Sequence, residues 1–353
     1  MTVINNIEID DIHYTPNPVR AAIINNEPIE EKLHVIIVVS NPGNFASRYI
    51  LAREFIKRIE GEETDVNLYI VELAYEGQGY YITDKENPRH LRLRGVHPLW
   101  HKENMINIAV RRLLPPTWKA MAWIDADIEF ENCTWATDTL RLLNGQFDIV
   151  QLFSHACDMD IDGYSMSVFN SLGYCAVKHG SKGMRQVGVN YPHPGFAWAI
   201  SRKAYDRIGG LYEVAILGSG DHIMAKCLLG VGLSSIVPQS HQDYKDTVLR
   251  FQDKAKTLRF GYVPGVIRHH FHGSKKNRKY TERWQILVKW DYSPLTHLTT
   301  NQDGLLIPSV DCPPGLLEDI KSYGKERNED EGRPEKEVLG EGDVQRGRGN
   351  KVS

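Results

Sequence analysis

The segment at residues 33–39 reads LHVIIVV, a continuous apolar run rich in β-branched residues that ends in the turn cluster SNPGN. A run of this kind fits a strand buried on both faces, as in the middle of a parallel sheet. Ser47 then offers an N-cap for a helix in which Tyr49, Ala52, Ile56 and Ile59 recur at helical spacing. Residues 66–73, VNLYIVEL, form the next strand. A helix over residues 100–114 puts Met105, Ile108, Ala109 and Leu113 on one face, and Pro115 and Pro116 stop it. Two more buried strands follow at 119–124 and 147–154. Strands alternating with helices predict an α/β domain, a Rossmann-like, mostly parallel sheet flanked by helices.

The second half is less regular. Residues 157–193 are rich in glycine and poor in periodic apolar positions, so they read as a long loop of the kind that serves as a lid or binding segment. Regularity returns at 195–201, 221–229, 266–270 and 281–290. From about residue 322 the chain is charged, glycine-rich and short of aromatics, which cannot bury enough apolar area to offset its ordering entropy. The organisation expected is an N-terminal extension over 1–30, one catalytic domain over 31–320 and a disordered charged tail over 321–353.

Hydrophobic residues make up 41% and charged residues 25% of the 353, enough apolar material for a sizeable core. A formal net charge of −3 argues against wholesale electrostatic binding of nucleic acid or an anionic membrane. No apolar run reaches the roughly 18 to 20 residues that span a bilayer, so no transmembrane segment is expected. The opening MTVINNIEIDDIHY lacks the basic start and apolar stretch of a secretory signal. Five scattered cysteines with no CxxC pair argue against a disulfide framework or a cysteine zinc site. A reducing, cytoplasmic setting is the expectation.

Three groups of residues could carry chemistry. Asp125 and Asp127, in WIDADIEF, put two carboxylates at the carboxyl edge of a parallel sheet, where α/β folds bind ligands. Hard oxygen ligands there suit Mn²⁺ or Mg²⁺ on a diphosphate. Asp-x-Asp recurs at Asp158-Met159-Asp160 and Asp160-Ile161-Asp162. That second run imitates the opening of a calcium loop, but its twelfth position is Phe169 rather than Glu, so a solvated turn is the better reading. The stretch from Arg268 to Lys279 holds three histidines that could complete a carboxylate metal site, followed by basic residues that could meet phosphate oxygens, or form a solvated turn. Finally, Asp221 follows a glycine-rich segment at a helix start, where it either caps the helix or accepts a proton from an acceptor hydroxyl. Trp198, in GFAWA, is the candidate sugar-facing ring. P-loop, dinucleotide-binding and nucleophile-elbow motifs are absent.

Taken in order, VVSNPGNFASR, LWHKENMINIAV, WIDADIEF, HPGFAWAISRKAYDRIGGLYE, ILGSGDHIMA and IRHHFHGSKKN resemble the GT-A glycosyltransferases, notably the family-2-like and β-1,4-galactosyltransferase-like groups, from about residue 33 to residue 304. The resemblance implies a metal-dependent transfer of a hexose, such as galactose, from a nucleotide diphosphate-sugar of the UDP type to a glycan or other hydroxyl acceptor. It implies metal ligation by Asp125, Asp127 and His272, with His270 as the alternative imidazole. Ser40, Asn41, Arg48, Lys102, Asn104, Asp125 and Trp198 are implied on the donor side and Asp221 as the catalytic carboxylate. One departure stands out: the Glu of the family's Glu-Asp pair is here Gly220. The rival readings are a nucleotidyltransferase acting on sugar phosphates and a catalytically silent sugar-binding relative.

Overall fold

The computed structural model describes residues 2–4, 7–9, 17–183, 192–279 and 282–332. The expected buried run is strand β1 (Leu33–Ser40). Its side chains alternate between two cores, Val35 and Ile37 packing with Leu68 and Ile70 on one face, and Ile36 with Val71 and Leu73 on the other. That two-sided burial is what a continuous apolar run encodes. Around it, in chain order, come helix α1 (Ala46–Glu62), strands β2 (Val66–Ala74) and β3 (His90–Arg94), helix α2 (Lys102–Arg112), and strands β4 (Ala120–Ile124), β5 (Ile128–Phe130), β6 (Ile149–Gln151), β7 (His155–Met159), β8 (Ser165–Asn170) and β9 (Ala197–Ser201). Helix α3 (Gly220–Leu228), strands β10 (Phe260–Tyr262) and β11 (Val266–His269) and helix α4 (Pro314–Glu326) complete the parts that shape the site.

The main sheet has seven strands in the order β10-β6-β9-β4-β1-β2-β3. Only β9 runs against its neighbours, pairing antiparallel with both β4 and β6, while the other pairings are parallel. The α/β architecture with a largely parallel sheet flanked by helices is therefore as the sequence pattern indicates. A second sheet of four strands, β8-β7-β11-β5, lies beyond it. Asp125, Ala126 and Asp127 form the short connection between β4 in the large sheet and β5 in the small one. The carboxyl end of a central parallel strand thus opens directly onto the second sheet.

Three expectations need correction. Residues 157–193 are not one long loop, because 155–159 and 165–170 form an antiparallel hairpin and a helical segment begins at Leu172. The face that β7 buries holds Asp158 beside Ala156, and β8 has no fully buried position, so no apolar alternation marks the hairpin. Ser47 does not cap α1: it lies inside the helix, fully buried. The first turn is capped by the Asp330 carboxylate, which accepts from the amides of Ala46 at 2.9 Å and Ser47 at 2.8 Å. The charged segment expected to begin at 321 starts within α4, and Arg327 and Glu329 are buried against the rest of the fold. Residues 333–353 lie outside the described residues. No helix among those described is long and apolar enough to cross a membrane.

Candidate functional site

A cavity of about 670 Å³ opens at the carboxyl ends of β1 and β4 and runs between α1, α2, α3, the small sheet and α4. Its wall brings together Ser40, Arg48, Lys102, Asp125, Asp127, Asp221 and His272, seven residues singled out in the sequence.

The histidines and the second aspartate converge. Asp127 Oδ2 lies 2.9 Å from His272 Nε2 and 3.8 Å from His269 Nε2, and the two imidazole nitrogens are 3.2 Å apart. His269 comes from β11, whose register with β7 sets it beside Asp158 and whose register with β5 sets it beside Ile128. The other nitrogen of its ring, Nδ1, donates to Asp158 Oδ1 at 2.7 Å. Arg278 Nη2 stands 2.9 Å from His272 Nε2. Asp127 Oδ1 is buried with no hydrogen-bond partner among the described residues. One carboxylate and two imidazoles, with an unsatisfied buried oxygen beside them, form a donor set that a divalent cation accepts, so Asp127, His269 and His272 could hold a metal.

The electrostatics agree. Burial alone would resist ionisation of Asp127, but the His272 and His269 rings and the Arg278 guanidinium outweigh it and hold the carboxyl well below the usual range. Burial pushes the His272 pKa down, with Asp127 opposing only in part, which favours the neutral imidazole that metal ligation requires. Asp125 diverges from Asp127. Its backbone amide bonds Phe196 O at 2.8 Å, and its carboxylate pairs with Lys102, outside the Asp127 trio. Burial raises the Asp125 pKa, with Lys102 pulling the other way. Burial also works against the charge on Lys102, yet Asp125, Asp221 and Glu103 more than offset it.

His270, the alternative imidazole, faces elsewhere. Successive strand residues point to opposite faces, and its Nε2 lies 3.5 Å from Glu129 while its amide bonds Asp127 O at 2.8 Å. The same alternation is what makes His269 the partner of His272, a choice that the cluster HHFH alone left open.

Three donor-side expectations are displaced. Trp198 is 3% exposed in the core and donates from Nε1 to Pro194 O at 2.8 Å, because β9 is an interior strand of the sheet. Asn104 is spent on structure, donating to Glu213 Oε2 and Gly304 O, both at 3.1 Å, and accepting from the Leu306 amide at 3.0 Å. Asn41 closes the turn before α1, its side chain bonding Phe45 O at 2.7 Å and Phe45 N at 2.9 Å. Aromatic surface in the cavity comes instead from Phe45, Trp100 and Trp284, and the Arg327 guanidinium sits 5.2 Å from the Trp100 ring centroid.

Arg48 reaches the Ser40 carbonyl and pairs with Glu329, Nη2 to Oε1 at 2.7 Å. Burial disfavours the Glu329 charge, but Arg48 and Arg327 hold its carboxyl far below the usual range. Glu329 and Asp158 lay within reach of sequence reasoning only weakly, since one sits in a charged run and the other opens the false calcium loop. Asp160 is the residue that makes that turn, its Oδ1 accepting from the amides of Asp162 at 3.0 Å and Tyr164 at 2.7 Å.

No protein-family model matches the chain and no curated protein matches it in sequence. Among solved structures it is similar to a Drosophila β-1,4-galactosyltransferase 7 mutant in complex with manganese, UDP-Gal and xylobiose, at 10% identity and a TM-score of 0.34, over 82% of this chain and 98% of that one. A likeness at that score lends no weight to any residue assignment.

Proposed function

We propose that the chain is a metal-dependent glycosyltransferase of the GT-A type, moving a hexose from a nucleotide diphosphate-sugar, of the UDP class, to a hydroxyl acceptor. The observation that carries this reading is the convergence of Asp127 Oδ2 with the Nε2 atoms of His269 and His272 in the wall of the cavity. Those three residues would hold the ion. Two imidazoles beside a carboxylate favour a first-row transition ion such as Mn²⁺ over Mg²⁺. When bound, such an ion neutralises charge on a departing diphosphate, a Lewis-acid contribution of several kcal/mol.

The chain's own groups supply the rest. Lys102 and Arg278 line the same cavity and are the cations suited to diphosphate oxygens. Ser40 and Arg48 flank the end of β1, the edge at which α/β sheets bind nucleotides. Phe45, Trp100 and Trp284 offer apolar faces that exclude water and stack against rings. Asp221, at the start of α3, is the carboxylate available to orient an acceptor hydroxyl.

The test is a panel of nucleotide sugars incubated with the protein and Mn²⁺, read as release of nucleoside diphosphate. EDTA-sensitive release that Asp127→Ala abolishes, with the circular-dichroism melt unchanged, is the expected result. Pyrophosphate released from a nucleoside triphosphate would make the protein a nucleotidyltransferase instead. Nucleotide-sugar binding without turnover would make it the silent relative.

A further inference from the structure

Two carboxylates in the cavity rest on glycines. A Cβ built on Gly220 would lie 2.4 Å from Glu103 Oε1 and 3.0 Å from Oε2. A Cβ built on Gly195 would lie 2.6 Å from Asp221 Oδ2. Real Cβ atoms do not approach so closely, so a side chain at 195 or 220 would displace these carboxylates from their present positions. Glu103 comes from the first turn of α2 and Asp221 from the first turn of α3, and both line the cavity. An acidic residue in a helix's first turn ordinarily sits in water, where it complements the helix dipole. Glu103 is only 3% exposed, and that burial is costly for a carboxylate whose sole task is to complement a dipole. Its neighbours along α2 have structural partners, Asn104 and Asn107 both donating to Glu213, whereas the Glu103 carboxylate is directed at the Gly220-Asp221 start of α3.

We propose that Glu103 is the proton-accepting carboxylate for the acceptor hydroxyl, with Asp221 beside it as the second member of a pair split between two helices. The proposal rests on the glycosyl-transfer reading above and names the group that completes its acceptor side. In the step it serves, the acceptor oxygen bonds to the anomeric carbon and the bond from that carbon to the diphosphate breaks. The electron pair of the broken bond leaves with the diphosphate, and the hydroxyl proton passes to the Glu103 carboxylate and later to solvent.

The proton affinity of Glu103 suits that task. Burial raises its pKa most, Lys102 lowers it and Asp221 raises it again, giving a value of about 7. A base poised near the working pH is the effective one. The charged and titratable groups around it are Lys102 on its own helix, Asp221 on α3, Asp125 at the end of β4 and Tyr244 on the helix Gln242–Ala255. Arg283 lies a step further off, bonded to Ser219.

The experiment uses the full chain with Mn²⁺ and whichever nucleotide sugar and acceptor the screen identifies. The wild-type kcat/KM should rise with pH through about 7, as the group ionises. Glu103→Gln should lower kcat by roughly 10²- to 10⁴-fold and abolish that rise, with Mn²⁺ binding and nucleoside diphosphate binding unchanged by calorimetry. Asp221→Asn removes a neighbouring negative charge, so the rise should move to lower pH while Glu103 is intact, a shift that a purely structural role for either residue does not produce. Infrared difference spectra across pH 6 to 8 should show one carboxyl protonating in the wild type and none in Glu103→Gln. A Glu103→Gln protein with kcat within about threefold of the wild type, or with its pH rise retained, overturns the proposal and leaves glycosyl transfer standing. If Glu103→Gln fails to fold, an unmoved rise in Asp221→Asn overturns it instead. A wild-type protein that releases no nucleoside diphosphate from any nucleotide sugar refutes the transfer reading and this proposal with it.

Discussion

His269 donates from Nδ1 to Asp158 Oδ1 at 2.7 Å while its Nε2 turns toward Asp127. Asp158 is 2% exposed, so the bond is made away from water, and it fixes both the ring's orientation and its tautomer. With the proton held on Nδ1, Nε2 presents a lone pair to the point that Asp127 and His272 also face. A carboxylate behind a ligating imidazole raises its basicity and holds its aim.

Asp158→Asn should therefore weaken Mn²⁺ binding by about 10- to 100-fold, although the residue is not itself among the three that converge. Titration calorimetry measures this directly on the protein without substrate. His270→Ala, which removes a ring facing Glu129 rather than the cavity, should leave the affinity within about twofold of the wild type, the behaviour of a residue outside both the ligand set and its supporting shell. Equal losses in the two variants would mean that the ion sits nearer the edge of the small sheet.

A second prediction separates the tryptophans. Trp198 is a core residue of β9, and Trp198→Ala should cost about 3 to 5 kcal/mol of stability, visible as a lower urea midpoint. Trp100 lines the cavity and carries the Arg327 stack. Replacing it with Leu, which keeps apolar bulk, should change the urea midpoint little and raise KM for the nucleotide sugar. A stable Trp198→Ala protein with impaired donor binding would reverse these roles.

Much of the fold was legible because it depends on uninterrupted apolar runs, and β1, β2, β4 and α2 emerge within a residue or two of where the pattern puts them. The hairpin of β7 and β8 was not, since the buried face of β7 carries an aspartate and β8 buries no residue fully. The site was legible in part. Asp127 follows a recognisable strand, and His272 sits in a conspicuous cluster. The choice between His269 and His270 depends on strand phase, which a four-residue strand bounded by irregular chain does not declare. Glu103 was invisible for a different reason: an acid in a first helical turn ordinarily does no more than complement the helix dipole, and only the close approach of Gly220 shows where it points. Glu329 and Asp330 gave only the weak signal of a charged run, because their partners Arg48 and α1 lie at the other end of the chain.

The donor set also predicts the order of metals. After removal of bound ions with EDTA and exchange into metal-free buffer, Mn²⁺ should restore nucleoside diphosphate release at micromolar levels. Mg²⁺ should restore it weakly, because it prefers all-oxygen surroundings and dehydrates reluctantly. Equal restoration by Mg²⁺ would argue that Asp125 and Asp127 bind the ion without the histidines.

The segment that follows α4 makes stability depend on acid in a definite direction. Arg48 and Arg327 hold the Glu329 pKa below its ordinary value of 4.5 despite its burial. In the unfolded chain Glu329 takes up its proton near that ordinary value, while in the folded protein it stays ionised to lower pH. Its stabilising contribution is therefore complete above about pH 5 and is lost progressively as the pH falls below that. At pH 7, Glu329→Gln should be less stable by about 3 kcal/mol, the scale for removing one partner of a buried ion pair. Asp330→Ala should cost about 1 kcal/mol as a lost helix cap. Urea midpoints measured from pH 7 down to pH 3 should draw together for the wild type and Glu329→Gln, because only in the wild type does the unfolded chain take up a proton at this position. Other carboxylates titrate equally in both proteins, so the difference isolates Glu329. Curves that stay parallel across the range would show that Arg48 and Arg327 do not depress its pKa.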